Sequence, residues 1–324
     1  MSKPPGKAAL VFLVAAFSLL GLTGSDPALA QRSQAVDRNW SFQNDSPAWQ
    51  AGSGPQIIFS IKESDFIKTG LHEPLAALAR SDGFRTEESD PPLSPVTLPQ
   101  GSILVLINPY LRSSYRDYPA MLPPSVYADE EIAGIRQWVG AGGALLVIAD
   151  HAPYGGGSSA LAEAFGFSFI NGHAIEDAAI LEGMVRVRWG FEAGTGLNTG
   201  HPVTDGGMGR HPVTRFFAFG GQAFLPPEQA TVLLRFPKGW TALFAFDAVR
   251  EFRTAQRMDA SGLAQGAVMD YGKGRVAVFT EAGAFSAQLL PDGRRIGFNT
   301  PEGQDNPEFV LSLLRWLSGY QPQR

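Results

Sequence analysis

The sequence predicts an α/β protein with a doubly wound, mostly parallel sheet and antiparallel β additions in its C-terminal half. Three observations support this class. Short apolar runs at residues 55–61, 102–108 and 144–149 are typical of strands buried on both faces. Stretches with apolar residues at helical spacing lie between these runs. Glycine or proline follows most of the elements, and the regular alternation predicts parallel βαβ units.

The first 30 residues have the three zones of a secretion signal. Lys3 and Lys7 give a positive start, residues 8–22 are apolar, and Ala28-Leu29-Ala30 provides a small-x-small cleavage pattern before Gln31. The apolar run is shorter than the roughly 20 residues that span a bilayer as a helix. We therefore expect residues 1–30 to be a signal peptide, the mature protein to be periplasmic or secreted, and no stable membrane span to remain after cleavage.

Residues 31–54 are polar, contain glycine, proline and serine, and show no clear period. They predict an N-terminal arm that packs on the body of the protein through Trp40, Phe42 and Trp49. Residues 55–320 are expected to form one α/β domain.

Helices are expected where apolar positions recur every three or four residues. The predicted helices cover residues 71–79, 127–139, 158–165 and 306–317. The second of them has acidic residues at its N-terminal end, where a helix favours negative charge. Residues 150–157 are rich in glycine and predict a loop.

The C-terminal half contains shorter strand candidates separated by glycine and proline, and these are expected to be added around the one sheet. They lie at residues 185–189, 215–219, 231–235 and 242–246. Residues 267–271 and 275–279 flank Gly272-Lys273-Gly274 and predict a β-hairpin.

The chain resembles the class I glutamine amidotransferase-like superfamily, which includes trehalose-utilisation-like proteins. Residues 127–153 carry the resemblance: a helix of the form acid-x-x-x-Ile-x-x-Trp-Val, a double glycine, a buried strand and a loop. The similarity is closer still to an uncharacterised exported bacterial branch, at Ala149–Pro153, Ala164–Phe167, Gly200–Thr204, Phe219–Gln222, Gly272–Glu281 and Asn306–Leu317. The resemblance implies a flavodoxin-like sheet but no particular reaction. The amidotransferases use a nucleophilic cysteine, and this chain has none.

Asp150 and His151 are the strongest candidates for chemistry because they follow a predicted buried strand. Ligands of open α/β sheets collect at the carboxyl ends of strands. His151 is a candidate general base or metal ligand, oriented by the Asp150 carboxylate. The structural alternative is that Asp150 caps loop amides and His151 is a satisfied surface group. Glu281 follows the last predicted strand and is a second candidate carboxylate, or a cap of the turn after it.

Gly155, Gly156, Gly157 and Ser158 are candidates for ligand binding, since backbone N–H groups at a helix start bind anions. The stretch lacks the lysine of a P-loop. As an alternative, Ser158 is the N-cap of the helix rather than a ligand-binding or nucleophilic residue.

His201 and Asp205 are further candidates, because together with Asp150 and His151 they offer nitrogen and oxygen ligands of the kind that zinc prefers. His201 precedes proline, which favours an extended, rigid loop. The sequence names neither a metal nor another cofactor.

Composition narrows the function classes. The formal net charge of −5 and the lack of any Lys/Arg run argue against nucleic acid as a partner. Two classes remain open. The first is an exported hydrolase, with or without a metal, acting at Asp150, His151 and Glu281. The second is a non-catalytic ligand-binding or envelope-associated protein, for which a small molecule or a glycan is the expected ligand.

Overall fold

A computed structural model of the chain describes residues 34–90, 92–111, 124–183, 187–245 and 248–322. The predicted signal peptide and the first three residues of the arm lie outside the described residues, as do Val185, Arg186 and Phe246 of predicted strands. Within the described ranges there is no helix that is both long enough and apolar enough to cross a membrane.

The elements alternate between strands and helices along the first half of the chain. The strands are β1 (Ala35–Val36), β2 (Gln56–Ser60), β3 (Arg85–Ser89), β4 (Ile103–Ile107), β5 (Ala144–Ile148), β6 (Ser168–Phe169), β7 (His173–Glu176), β8 (Trp189–Glu192), β9 (Arg215–Ala218), β10 (Phe224–Leu225), β11 (Thr231–Arg235), β12 (Trp240–Phe244), β13 (Gln256–Asp259), β14 (Ala264–Tyr271), β15 (Gly274–Phe279), β16 (Ala287–Leu289) and β17 (Arg295–Gly297). The helices are α1 (Asp65–Lys68), α2 (Glu73–Ser81), α3 (Asp129–Gly140), α4 (Tyr154–Ala164), α5 (Asp177–Leu181), α6 (Ala248–Glu251) and α7 (Asn306–Leu317).

The central sheet is mixed, with a parallel part formed by β3, β2, β4, β5 and β15 in that spatial order. Antiparallel strands β14, β10 and β6 continue it beyond β15, and β11 also pairs with β14. The remaining strands form three separate small sheets: β1-β16-β17, β13-β12-β7 and β8-β9. The expectation that all antiparallel strands surround one sheet is therefore wrong, although the mostly parallel core is present.

Helices cover both faces of the central parallel strands β4 and β5, which is why the sequences of these two strands are wholly apolar, whereas the edge strand β3 is polar and mostly exposed. Every residue of β4 and of β5 is buried. Alternate residues of these strands belong to two core clusters, one shared with α2 and α7 and the other with α3 and α4. The result is a layered arrangement in which the carboxyl ends of the parallel strands meet at one edge of the sheet.

The arm is part of the fold from residue 34 onward. Its strand β1 pairs with β16, at Ala35 with Leu289. Trp40 packs on Phe298 at a ring distance of 5.0 Å, and Trp49 packs on Phe84 at 4.7 Å. The sequence predicts the tryptophan contacts but not the strand.

A buried ion pair connects the arm with the last helix. The Arg315 guanidinium donates through Nε to Asp82 Oδ2 at 2.7 Å, and through Nη2 to the Ser46 carbonyl at 2.6 Å. The side chains of Arg315 and Asp82 are 2% and 0% exposed. Since a buried charge needs a partner, this pair ties α7, α2 and the arm together.

Candidate functional site

A cavity of about 150 Å³ lies where β5 and β15 end. Its wall includes Asp150, His151 and Glu281, the three residues that the sequence predicts as catalytic. The other lining residues come from the arm, α1, the start of α4, a loop after β9 and the segment after β15: Gln34, Phe66, Tyr154, Phe219, Gly220, Gly283, Gln288 and Ile296. The structure therefore brings the three predicted residues together at one edge of the sheet.

Asp150 is half-buried and holds two loops in place. Its backbone N–H donates to Asn108 Oδ1 at 2.9 Å. Its carboxylate accepts the backbone N–H of His151 at 2.7 Å, and that of Ala282 at 3.4 Å. The capping role that the sequence offers as the structural alternative is thus present, and the same carboxylate also borders the cavity.

The His151 ring is held by its own main chain and by a second histidine. Nδ1 lies 2.9 Å from the Ala152 carbonyl oxygen, which can only accept, so Nδ1 carries a hydrogen, and in the neutral form of the ring Nε2 has the lone pair. The His173 ring stacks on it at 4.3 Å and 24°. A side chain added at Gly220 would begin 3.8 Å from His151 Cδ2, the carbon bonded to Nε2. Gly220 lines the cavity, so the Cδ2 edge of the ring lies beside the cavity wall. The Asp150 carboxylate accepts the backbone N–H of His151 rather than a ring N–H, so it does not orient the ring as expected.

Glu281 is 3% exposed. Its Oε1 accepts the Gly283 N–H and its Oε2 accepts the Ala284 N–H, both at 2.7 Å. Burial and, after it, the negative charge of Asp150 raise the pKa of Glu281 to about 8, while these backbone N–H groups act in the opposite direction. At pH 7 the Glu281 carboxyl is therefore mostly protonated and can donate a hydrogen bond.

The glycine-rich segment is the first part of α4, so the predicted loop at residues 150–157 is confirmed at residues 150–153 and wrong at residues 154–157. The helix begins at Tyr154, and Pro153 occupies the N-cap position, so Ser158 is not the N-cap. Gly155, Gly156, Gly157 and Ser158 are all buried and do not line the cavity.

Close packing explains the glycines of this helix. A Cβ at Gly155 would lie 2.4 Å from Gln222 Nε2, and a Cβ at Gly157 would lie 2.0 Å from the Pro109 carbonyl oxygen. The Gly156 N–H donates to Asn171 Oδ1 at 3.1 Å. Small residues are thus required for the start of α4 to approach its neighbours.

Gln222 is a buried residue that the sequence reasoning missed. Its Nε2 donates to the Asp150 carbonyl at 2.6 Å and to the Ala149 carbonyl at 3.1 Å. Its Oε1 accepts the Asn171 N–H at 2.6 Å, and its own N–H donates to the Thr280 carbonyl at 3.1 Å. Through its side chain and its backbone, Gln222 therefore fixes the loop that follows β5 beside the end of β15. The Gly220-Gly221-Gln222 run was the only sequence signal for it.

His201 is not brought together with Asp150 and His151. It packs on Trp316 at 5.5 Å, and the guanidinium of Arg275 lies 5.0 Å from the same indole. Arg275 is at the start of β15, whereas Glu281 follows the end of this strand. Six residues of extended chain, about 20 Å, therefore separate Arg275, on the indole that His201 contacts, from Glu281 in the cavity. Burial lowers the pKa of His201.

Within the described ranges, no three His, Cys, Asp or Glu side chains are arranged to hold a metal ion. The predicted combination of Asp150, His151, His201 and Asp205 is not assembled.

Neither protein-family models nor curated protein sequences give a match to the chain. Among solved structures, it is similar to the mmIFT52 N-terminal domain, with a TM-score of 0.52 and 13% identity over 83% of this chain and 100% of that one. Similar structures also include a cytoplasmic protein from Salmonella typhimurium LT2 (TM-score 0.45, 12% identity, 82% of this chain and 100% of that one). A ThuA-like protein from Bacteroides uniformis is another (TM-score 0.43, 11% identity, 86% and 94%). At these identities the likeness concerns the fold alone.

Proposed function

We propose that the protein binds a small polar ligand in the cavity lined by Asp150, His151 and Glu281. The observation that carries this proposal is the convergence of three polar side chains, from the ends of two adjacent parallel strands, on one cavity. Ligand sites in open α/β sheets lie at such strand ends. The cavity volume of about 150 Å³ is below the ~300–1,000 Å³ of sites for drug-sized ligands. The ligand is therefore small, or only the end of a larger molecule enters.

The chemistry of the wall favours a ligand with hydroxyl groups. His151 Nε2 accepts a hydrogen bond, the protonated Glu281 carboxyl donates one, and the Asp150 carboxylate accepts one. A hydroxyl group both donates and accepts, so it fits each of these partners. Phe66, Tyr154 and Phe219 add aromatic surface to the wall. A polyol or the terminal sugar of a glycan has this combination of hydroxyls and apolar C–H groups.

Hydrolysis at the same cavity is the second candidate, and one observation favours it. An imidazole with a free lone pair and a carboxyl group that is protonated at neutral pH line the same wall, and such a pair can act as base and acid. In this case His151 takes a proton from water and Glu281 protonates the leaving group. In a metal-assisted form, Asp150 and His151 supply the ligands, and elemental analysis of protein purified without chelator tests that form.

The test is calorimetric titration of the purified protein with a panel of monosaccharides and polyols. His151→Ala and Glu281→Gln are compared with His201→Ala, which removes a histidine at the opposite edge of the sheet. We expect His151→Ala to weaken the affinity about tenfold or more, the loss of one good hydrogen bond, and His201→Ala to leave it unchanged. Equal losses in the two histidine variants, or no binding across the panel, would overturn the proposal.

A turnover assay separates the two candidates. Chromogenic nitrophenyl glycosides and esters are incubated with the wild-type protein and with the His151→Ala variant. Turnover that His151→Ala abolishes supports hydrolysis, whereas binding without turnover leaves a non-catalytic ligand-binding protein.

We further propose that the fold is flavodoxin-like and that the chain is a class I glutamine amidotransferase-like protein without the nucleophilic cysteine. The spatial order of the parallel strands supports this. Numbered along the chain, β2, β3, β4, β5 and β15 stand in the order 2-1-3-4-5, which is the flavodoxin order. The strand order supports the fold but does not indicate which reaction, if any, the protein catalyses.

Export to the periplasm or the medium is likewise proposed, on the pattern of residues 1–30. Intact-mass measurement of protein recovered from the periplasmic fraction should give a chain that begins at Gln31. A mass that includes the first 30 residues would contradict cleavage at this position.

A further inference from the structure

The small sheet β1-β16-β17 supplies a second polar border of the cavity. Three residues that line the cavity belong to this sheet or adjoin it: Gln34, Gln288 and Ile296. Gln288 of β16 pairs with Ile296 of β17 and, on its other side, with Val36 of β1. Directly paired residues of an antiparallel sheet share a face. Gln288 and Ile296 therefore direct their side chains to the same side of the sheet, which is the side of the cavity.

Gln288 is a buried residue whose side-chain amide is available to a ligand. The residue is 2% exposed, and its backbone carbonyl accepts Asn299 Nδ2 at 3.1 Å. Its side-chain amide forms no hydrogen bond with any residue in the part of the chain that the structure describes. The Oε1 of Gln265 is sealed in the protein without a partner, whereas neither amide atom of Gln288 is sealed. The space that the Gln288 side chain borders is the cavity.

Gln34 offers a second amide to the same cavity. It is half-buried, it precedes β1, and its side chain likewise makes no hydrogen bond within the described ranges. The arm is fixed directly after it. The Asp37 N–H donates to the Ala287 carbonyl at 2.8 Å, and Asn299 Nδ2 donates to Asp37 Oδ2 at 2.9 Å. These bonds hold the arm, and with it Gln34, at the border of the cavity.

A carboxamide carries its donor and its acceptor side by side, since Nε2 donates and Oε1 accepts. Two hydroxyl groups on adjacent carbon atoms are also side by side, so one can donate to Oε1 while the other accepts from Nε2. A single hydroxyl, or two hydroxyls far apart, can satisfy only one of these atoms. A buried amide without partners is unfavourable, so a ligand that satisfies both atoms gains the most from this contact.

We propose that Gln288 and Gln34 select a ligand that presents a vicinal diol, as a polyol or a terminal sugar does. This inference rests on the proposed function, because it names the part of the ligand that the cavity accepts. The diol contacts the Gln288 amide through both of its oxygens, and Gln34 contacts the same end of the ligand from the arm. The donors and acceptors that remain on the two hydroxyls are matched by the Asp150 carboxylate and the Glu281 carboxyl.

The first test compares two isomers, cis-1,2-cyclohexanediol and trans-1,4-cyclohexanediol, by ligand-detected NMR titration of the purified protein. The isomers have the same ring and the same number of hydroxyls, but only the first carries them on adjacent carbons. We expect the 1,2 isomer to bind about tenfold more tightly, which corresponds to one good hydrogen bond. Equal affinities for the two isomers would overturn the proposal.

Gln288→Met keeps the length of the side chain and removes both hydrogen-bonding atoms. It should weaken binding of the 1,2 isomer about tenfold and abolish the preference between the isomers. Its stability in urea should not fall, because the amide that it removes has no partner among the described residues and an apolar group takes its place. A purely structural role of Gln288 would give lower stability with an unchanged preference, and that result would overturn the proposal.

Gln34→Met tests the same contact at a half-buried position, so it stays informative if Gln288→Met does not fold. It should weaken binding of the 1,2 isomer about threefold, as expected for a partly exposed hydrogen bond. The matched control is Gln256→Met, at an exposed glutamine of β13 in another sheet, which should leave both affinities unchanged.

The monosaccharide panel distinguishes failure of this inference from failure of the proposed function. Monosaccharide binding that His151→Ala weakens, but that Gln288→Met and Gln34→Met leave unchanged, would overturn the diol contact alone. In that case the two amides contact only solvent and the proposed function stands. No binding of either diol or of any monosaccharide would overturn both.

Discussion

Replacing Glu281 by Gln should remove a pH dependence of stability that comes from this one carboxyl group. The ordinary pKa of a glutamic acid is 4.5, and burial together with the Asp150 charge raises the pKa of Glu281 to about 8 in the folded state. Between these two values the folded protein holds a proton that the unfolded chain releases. Stability therefore falls as the pH rises through this window.

The size of the effect follows from the shift. One pKa unit corresponds to about 1.4 kcal/mol, so the free energy of unfolding should fall by about 2–3 kcal/mol from pH 5 to pH 7 through Glu281 alone. Below pH 4.5 the contribution is fully present, and above pH 8 it is lost. Glutamine carries no charge at any pH, so the variant lacks this contribution.

The assay is urea unfolding of the wild-type protein and of Glu281→Gln at pH 5, 6, 7 and 8. In the variant an amide N–H₂ also replaces one of the two oxygens that accept the Gly283 and Ala284 N–H groups, which lowers its stability equally at every pH. The slope against pH is therefore the readout. Glu228→Gln, at an exposed carboxylate, is the control and should keep the wild-type slope. Parallel curves for wild type and Glu281→Gln would refute the protonated carboxyl group on which the acid role rests.

Two further predictions concern buried packing, the first between the arm, α2 and α7 and the second beside the site. Asp82→Asn leaves the buried Arg315 guanidinium without its counter-charge and should lower the free energy of unfolding by about 3–5 kcal/mol; a loss below 1 kcal/mol in urea would contradict this. Gly155→Ala places a Cβ 2.4 Å from Gln222 Nε2 and should cost about 1–3 kcal/mol and weaken ligand binding. Gly140→Ala, where the nearest atom is 3.8 Å away, is the control and should not destabilise the protein.

The sequence predicts β2, β4 and β5 of the parallel core well because those strands are buried, whereas the polar edge strand β3 gives no such signal. The apolar runs around β4 and β5 have no polar alternation that could be mistaken for an exposed strand. The last helix has the predicted bounds of 306–317, since its apolar residues recur at helical spacing. The hairpin of β14 and β15 is also confirmed, with Gly272 at φ 59° in the turn.

The first residue of α4 could not be predicted from the helix propensity of the local sequence. Glycine in a helix costs about 1 kcal/mol relative to alanine, so three consecutive glycines predict a loop. Tertiary packing decides otherwise, because Gly155 and Gly157 lie where a Cβ would collide with Gln222 and Pro109. A single sequence does not show how close another segment will approach.

The site was predictable in part for a similar reason. Asp150, His151 and Glu281 follow parallel strands, and the carboxyl ends of such strands meet at one edge, so strand assignment was sufficient to bring them together. His201 lies in a long connection, and nothing in its sequence shows which edge of the sheet it reaches. His173 and Gln222 act through stacking and hydrogen bonds with residues far away in the chain, which no local pattern reveals.

The position of the cavity follows from how the strand-end loops are closed. The strand order changes direction between β2 and β4, where a crevice is expected in a doubly wound sheet. Here the Tyr110 N–H donates to the Glu63 carbonyl at 2.8 Å, and Ser64 Oγ donates to the Ile107 carbonyl at 2.5 Å. These bonds join the two loops over the expected crevice. The open space lies instead where β5 and β15 end, bordered by Gln34 of the arm. Ligand size at Glu281 is therefore limited by the arm as well as by the sheet.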